Sequence, residues 1–181
     1  MAGKKESYLG TCSFYGNNHT LTVNLENTDP EVEGVAPFRY FKGRIIDLYV
    51  KGTITSAGNY AGGMVGFTYN GSQFKNCVVT TAITTSAKVA GGLIGNIAGD
   101  SNPNVTFNEC VFAGSITNTG NVSYRSAGGF FGEGSGWSCF INCLENGTYT
   151  NFGLMNPRGA HNSFSNKDTN YVDLYYVNKI G

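Results

Sequence analysis

One motif returns along the chain at nearly constant spacing. Aligned on Leu48, Cys77, Cys110, Cys143 and Leu174, the segments read IIDLYVKGTIT, FKNCVVTTAIT, FNECVFAGSIT, FINCLENGTYT and YVDLYYVNKIG. The spacings are 29, 33, 33 and 31 residues. Three positions earlier the column is Ile45, Phe74, Phe107, Phe140 and Tyr171; six positions later it is Ile54, Ile83, Ile116, Tyr149 and Ile180. A chain that repeats several apolar columns at about 30 residues is built from stacked units, because one such unit cannot bury its apolar face alone.

A second block travels with the first: Gly62-Gly63-Met64-Val65-Gly66, Gly91-Gly92-Leu93-Ile94-Gly95 and Gly128-Gly129-Phe130-Phe131-Gly132. The first two begin 14 residues after their column residue and the third 18 after it, which places four extra residues within Asn118–Ser126. Counting back, Leu21 stands 27 residues before Leu48, and Val35-Ala36-Pro37-Phe38-Arg39 follows 14 later as a degenerate copy. Within each unit positions 0, +2 and +6 are mainly apolar with polar or small residues between them, the period of a strand with one buried face.

Composition agrees with this pattern. The 181 residues include 26 Gly, about twice the usual share, and 21 Asn, 17 Thr and 13 Ser; charged residues make up only 13%. Strands and turns are favoured over helices. The expected fold is all-β, a β-solenoid in the form of a right-handed parallel β-helix of about five to six turns. The repeat occupies residues 11–181, with turns centred on Leu21, Leu48, Cys77, Cys110, Cys143 and Leu174, and residues 1–10 are an N-terminal tail. Twelve basic and twelve acidic residues cancel, which argues against nucleic acid as a partner. No apolar run reaches the length of a membrane-spanning helix, so no membrane insertion is expected in this segment, and the N-terminus lacks the apolar stretch of a signal peptide.

Few residues suggest chemistry. Cys77, Cys110 and Cys143 would stack about 5 Å apart, yet Leu48 and Leu174 share their column, so a reduced, buried ladder is expected, with Cys139 as the exposed thiol. His19 and His161 are the only histidines and lie far apart. The acidic column Asp47, Glu109 and Asp173 is interrupted by Asn76 and Asn142, the pattern of a turn-capping ladder and not of an acid pair. Glu145 replaces Val50, Val79 and Phe112 at an inward position, which calls for a partner or a local distortion. Gly99-Asp100-Ser101-Asn102-Pro103-Asn104 is rich in oxygen but lacks a second carboxylate, and reads as an ordinary turn. No catalytic residue, metal site or cofactor is expected.

Outward Thr53/Thr55, Ala82/Thr84, Ser115/Thr117 and Thr148/Thr150 form a small polar array of the kind seen on ice-binding solenoids, and also what strand propensity alone produces. The insertion Asn118–Ser126 carries Tyr124 and Arg125, and Gly134-Ser135-Gly136-Trp137 carries the single Trp. Aromatic and Arg side chains on loops over a rigid scaffold are the usual binding anchors, so Tyr124, Arg125 and Trp137 are the candidate ligand-binding residues.

The GGMVG, GGLIG and GGFFG blocks, with strands such as NCVVTTAI before them, resemble the GLUG-type repeats of bacterial surface proteins. The opening Phe14-x-Gly16-Asn17-Asn18-His19-Thr20-Leu21 is similar to the start of their β-helices. The likeness covers about residues 11–180, departing at Ala36-Pro37-Phe38-Arg39, which lacks both glycines, and after Tyr149, where no clean block follows. It implies an exported, cell-surface location within a larger protein of several domains. The expected role is non-enzymatic adhesion or recognition of a host glycan or protein. Alternatives are a structural spacer, a carbohydrate-active β-helix enzyme, or an ice-binding protein.

Overall fold

The computed structural model describes residues 11–98, 105–121, 126–134 and 138–152, together with the short strands at 154–156 and 174–176. All regular structure among them is β. The first turn holds β1 (Cys12–Asn27) and β2 (Phe38–Phe41), and the second β3 (Gly43–Ser56), β4 (Ala61–Gly62) and β5 (Val65–Thr68). The third contains β6 (Gln73–Lys75), β7 (Val78–Val79), β8 (Ala82–Thr85), β9 (Val89–Gly91) and β10 (Ile94–Ile97). The fourth repeats that order as β11 (Val105–Asn108), β12 (Val111–Phe112), β13 (Ser115–Asn118), β14 (Ser126–Gly128) and β15 (Phe131–Gly134). The fifth has β16 (Ser138–Ile141), β17 (Cys143–Glu145), β18 (Thr148–Thr150) and β19 (Leu154–Asn156), and β20 (Leu174–Tyr176) lies on β17.

Every strand pairs in parallel with its equivalent one turn away, which makes the molecule a β-solenoid. A twelve-stranded sheet wraps through the corners, while β2-β5-β10-β15 and β4-β9-β14-β19 form two sheets of four strands. About four full turns result, fewer than the five to six expected. Among the described residues the first turn contributes no strand to the β4 sheet, and nothing after β15 joins the β2 sheet, so the end turns are partial.

The apolar columns are the inner lining. Ile45, Phe74, Phe107 and Phe140 stand in register and are fully buried. Phe107 stacks on Phe74 at 5.5 Å and on Phe140 at 5.1 Å between ring centroids. Phe130, from the third glycine block, meets Phe107 and Phe140 edge-on. That block is glycine-rich for want of space: a Cβ on Gly92 would collide with the carbonyl oxygen of Gly129 and the ring of Phe112, so only glycine admits the neighbouring turn.

The polar column before Leu48 and the cysteines is the corner itself. Asp47, Asn76, Glu109 and Asn142 all adopt left-handed backbone, with φ of 55°, 49°, 55° and 50°. Asn and Asp tolerate this region better than other non-glycine residues. The Asn76 side chain donates to Asp47 Oδ1 at 2.8 Å, tying one rung of the ladder to the next.

The first turn departs from the even spacing. Leu21 was expected opposite Leu48, but it faces Val50, and His19 stands opposite Leu48. The cause is a register shift in which Gly16, Asn17 and Asn18 oppose the single residue Asp47, with Asn17 and Asn18 both at positive φ. The Val35–Arg39 copy is aligned as expected: Phe38 pairs with Val65, and the Gly62 amide donates to the Val35 carbonyl at 3.1 Å.

Candidate functional site

Registry on either side of each corner locates the insertions. Three residues separate β8 from β9, whereas seven separate β13 from β14, although Asn118 pairs with Thr85 and Ser126 with Val89. Four residues therefore leave the scaffold without shifting it, as the 18-residue spacing implied. A second insertion of the same size was not recognised in the sequence. Ile97 and Thr106 have eight residues between them, while their partners Thr68 and Gln73 have four. The unit length is thus 29 residues, and each spacing of 33 is one unit plus one four-residue insertion, the first of them at the Gly99–Asn104 corner. Tyr124, Arg125 and Trp137 lie outside the described residues; their flanks place them on the β13–β14 and β15–β16 corners.

The acidic positions do not converge. Asp47 and Glu109 are two rungs apart on the corner column, about 10 Å, with Asn76 between them. Among the described residues no three of His, Cys, Asp and Glu gather as a metal site would require. Cys77, Cys110 and Cys143 are fully buried, and each thiol donates to backbone carbonyls, as Cys110 does to Phe74 at 3.3 Å and Asn108 at 3.4 Å. Burial pushes the Cys110 thiol well up, keeping it protonated. The exposed thiol is Cys12, whereas Cys139, expected to be exposed, is half-buried.

Glu145 has the partner its position demanded. It pairs with Phe112 across the ladder and is only 6% exposed. Its Oε1 accepts from the Tyr149 hydroxyl at 2.7 Å and the Gly147 amide at 2.8 Å. Burial raises the carboxyl pKa despite those two donors, and burial together with Glu145 raises that of Tyr149. Tyr149 stands in the column otherwise filled by Ile54, Ile83 and Ile116. Two apolar positions four residues apart were thus exchanged together for a hydrogen-bonded pair.

An aromatic cluster on the outer face of the β2 sheet was not foreseen. Tyr40, Phe67, Asn96 and Glu133 are in register there, each one residue after the last position of its glycine block. Tyr40 stacks on Phe67 at 5.1 Å, and Tyr60 meets Phe67 edge-on at 5.4 Å. The guanidinium of Arg39 lies 5.3 Å from the Tyr40 ring centroid, and its Nε donates to the Glu33 carbonyl. Tyr60 has φ of 64°, costly for an aromatic residue, and its amide donates to the Val89 carbonyl at 2.9 Å. Burial, then the Glu133 carboxylate that accepts from its hydroxyl, push the Tyr60 pKa up to about 12. The outward Thr array is also in register, but Ala82 interrupts it and Thr53 Oγ1 is tied to Asn24 at 2.7 Å.

Comparison with known proteins gave no matching family model, curated protein or solved structure.

Proposed function

We propose that this chain is a non-enzymatic recognition module of a bacterial surface protein, in which the solenoid fixes the corner loops and the loops bind a glycan or protein ligand. The observation that carries this proposal is the pair of four-residue insertions, each extruded at a corner while the strands beside it keep their registry. Length variation confined to loops over an unchanged frame is how rigid folds acquire binding specificity. Tyr124 and Arg125 belong to one insertion, and Trp137 to a corner of the following turn. The GLUG-like blocks favour an extracellular setting and neighbouring domains.

A glycan and host-protein array probed with wild type, Trp137→Ala and the double variant Tyr124→Ala/Arg125→Ala tests this role. Specific binding that falls at least about tenfold in either variant is expected. Equal binding by all three would remove the loops from the mechanism, and no binding above background would leave a structural spacer as the better account.

A further inference from the structure

The N-terminal end of the solenoid is an open strand edge. β1 is the longest strand at 16 residues, and among the described residues it pairs only with β3. The direction of its unused backbone groups follows from the ladder. The Asn27 carbonyl accepts from the Ala57 amide, as those of Val50 and Ser56 do from Thr80 and Ser86. Alternation along a strand then turns the N–H and C=O groups of Leu21, Val23 and Leu25 toward β3, and those of Thr20, Thr22, Asn24 and Glu26 away from it.

Edge strands are commonly blunted by Lys, Pro or a bulge. β1 contains neither Lys nor Pro, and its only carboxylate is Glu26. Its bulge is confined to Gly16–Asn18, leaving residues 19–27 regular. The core is open here as well. Leu21, Val23 and Leu25 are half-buried, whereas Val50 and Ile54, in the columns of Leu21 and Leu25 one turn on, are fully buried. Phe14 and Tyr15, at 38% and 58% exposure, are the large exposed hydrophobic residues among those described, and both lie on this strand.

The segment also matches its own reverse. Leu21, Val23 and Leu25 are symmetric about Val23. An antiparallel pair centred on Val23 sets Thr22 opposite Asn24 of the second copy and Thr20 opposite Glu26, so no like charges meet. The four residues with outward backbone groups fall at the hydrogen-bonded positions of that pairing, giving about eight new hydrogen bonds, and the Leu and Val side chains meet on the core side. A self-complementary edge is what a twofold contact requires, and an unrelated strand would not call for it. We propose that two copies join head to head across a twofold axis, β1 pairing antiparallel with β1 of the second copy and centred on Val23.

Thr22→Pro tests this pairing directly, because the Thr22 N–H makes no bond to β3 and its loss spares the ladder within one copy. By light scattering coupled to size exclusion, wild type is expected at twice its 19.3 kDa, and Thr22→Pro at the single mass, with an unchanged far-ultraviolet spectrum. A second, independent measurement covers a Pro variant that misfolds. In a Cys12→Ser background, Val23→Cys should oxidise to a disulfide-linked dimer, since facing non-hydrogen-bonded residues have Cα atoms about 4.5 Å apart. A wild type that stays monomeric up to about 200 µM, far above the dissociation constant expected of a specific dimer, would overturn the proposal. So would a dimer that survives in a folded Thr22→Pro variant, or one that Val23→Cys cannot cross-link.

Discussion

Backbone conformation at single positions sets the corners of this solenoid. Glu109 occupies a left-handed position that its neighbours on the column fill with Asp or Asn. Glu109→Asn is expected to raise stability by about 0.5–1 kcal/mol in chemical denaturation, because Asn visits that region at lower cost. Glu145 gives a pH dependence whose sign follows from its raised pKa. The folded carboxyl holds its proton at higher pH than the unfolded one does, so this group's stabilisation is present below its ordinary value of 4.5 and is lost as pH rises through the raised value. Thermal melts between pH about 4 and about 8 should fall toward the alkaline end in wild type and flatten in Glu145→Gln. An unchanged slope in the variant would mean that another group is responsible. The sequence marked Glu145 as a misfit because its column is apolar. Its partner was equally visible, four residues away in the Ile column, but a Tyr in an apolar column passes as hydrophobic until its hydroxyl is given a place. Tyr60 was not legible, since no propensity points an aromatic residue toward positive φ.

Among the elements, the strands and glycine blocks divide the stabilisation. Phe107 lies between Phe74 and Phe140 and against Phe130, so Phe107→Ala should cost about 3–5 kcal/mol, measured as a lower denaturation midpoint at an unchanged slope. Gly92→Ala forces a methyl group into the Gly129 carbonyl and the Phe112 ring and should cost about 1–3 kcal/mol, although Ala is the smaller change by volume. Apolar columns were readable because stacked turns repeat the same side chain in the same place. The β1 register was not, because counting assumed equal spacing, while the Asn17-Asn18 pair bends the strand within a segment that still alternates correctly on both sides. The insertion at Gly99–Asn104 escaped for a related reason: an oxygen-rich turn looks complete by itself, and its extra length shows only against the partner strands. Of the candidate binding residues, the sequence supplied their place on corners, and the registry of the flanking strands agrees with that placement.

Over the whole molecule, each turn touches chiefly the turn before and the turn after, so stability is close to a sum of nearest-neighbour contacts. The two ends differ in character. At one end β1 presents a long, nearly uncharged edge. At the other, the fifth turn carries the buried Glu145–Tyr149 pair where the earlier turns hold aliphatic and aromatic residues. A linear stack with unlike ends has a direction of opening. Raising the pH should loosen β17 and β18 first, visible as amide hydrogen exchange that quickens there while β5–β10 remain protected, and that spreads inward turn by turn. Glu145 would then act as a titratable clasp at the terminus of the rod, and the order of unravelling would be set chemically from one end while the opposite end stays shut.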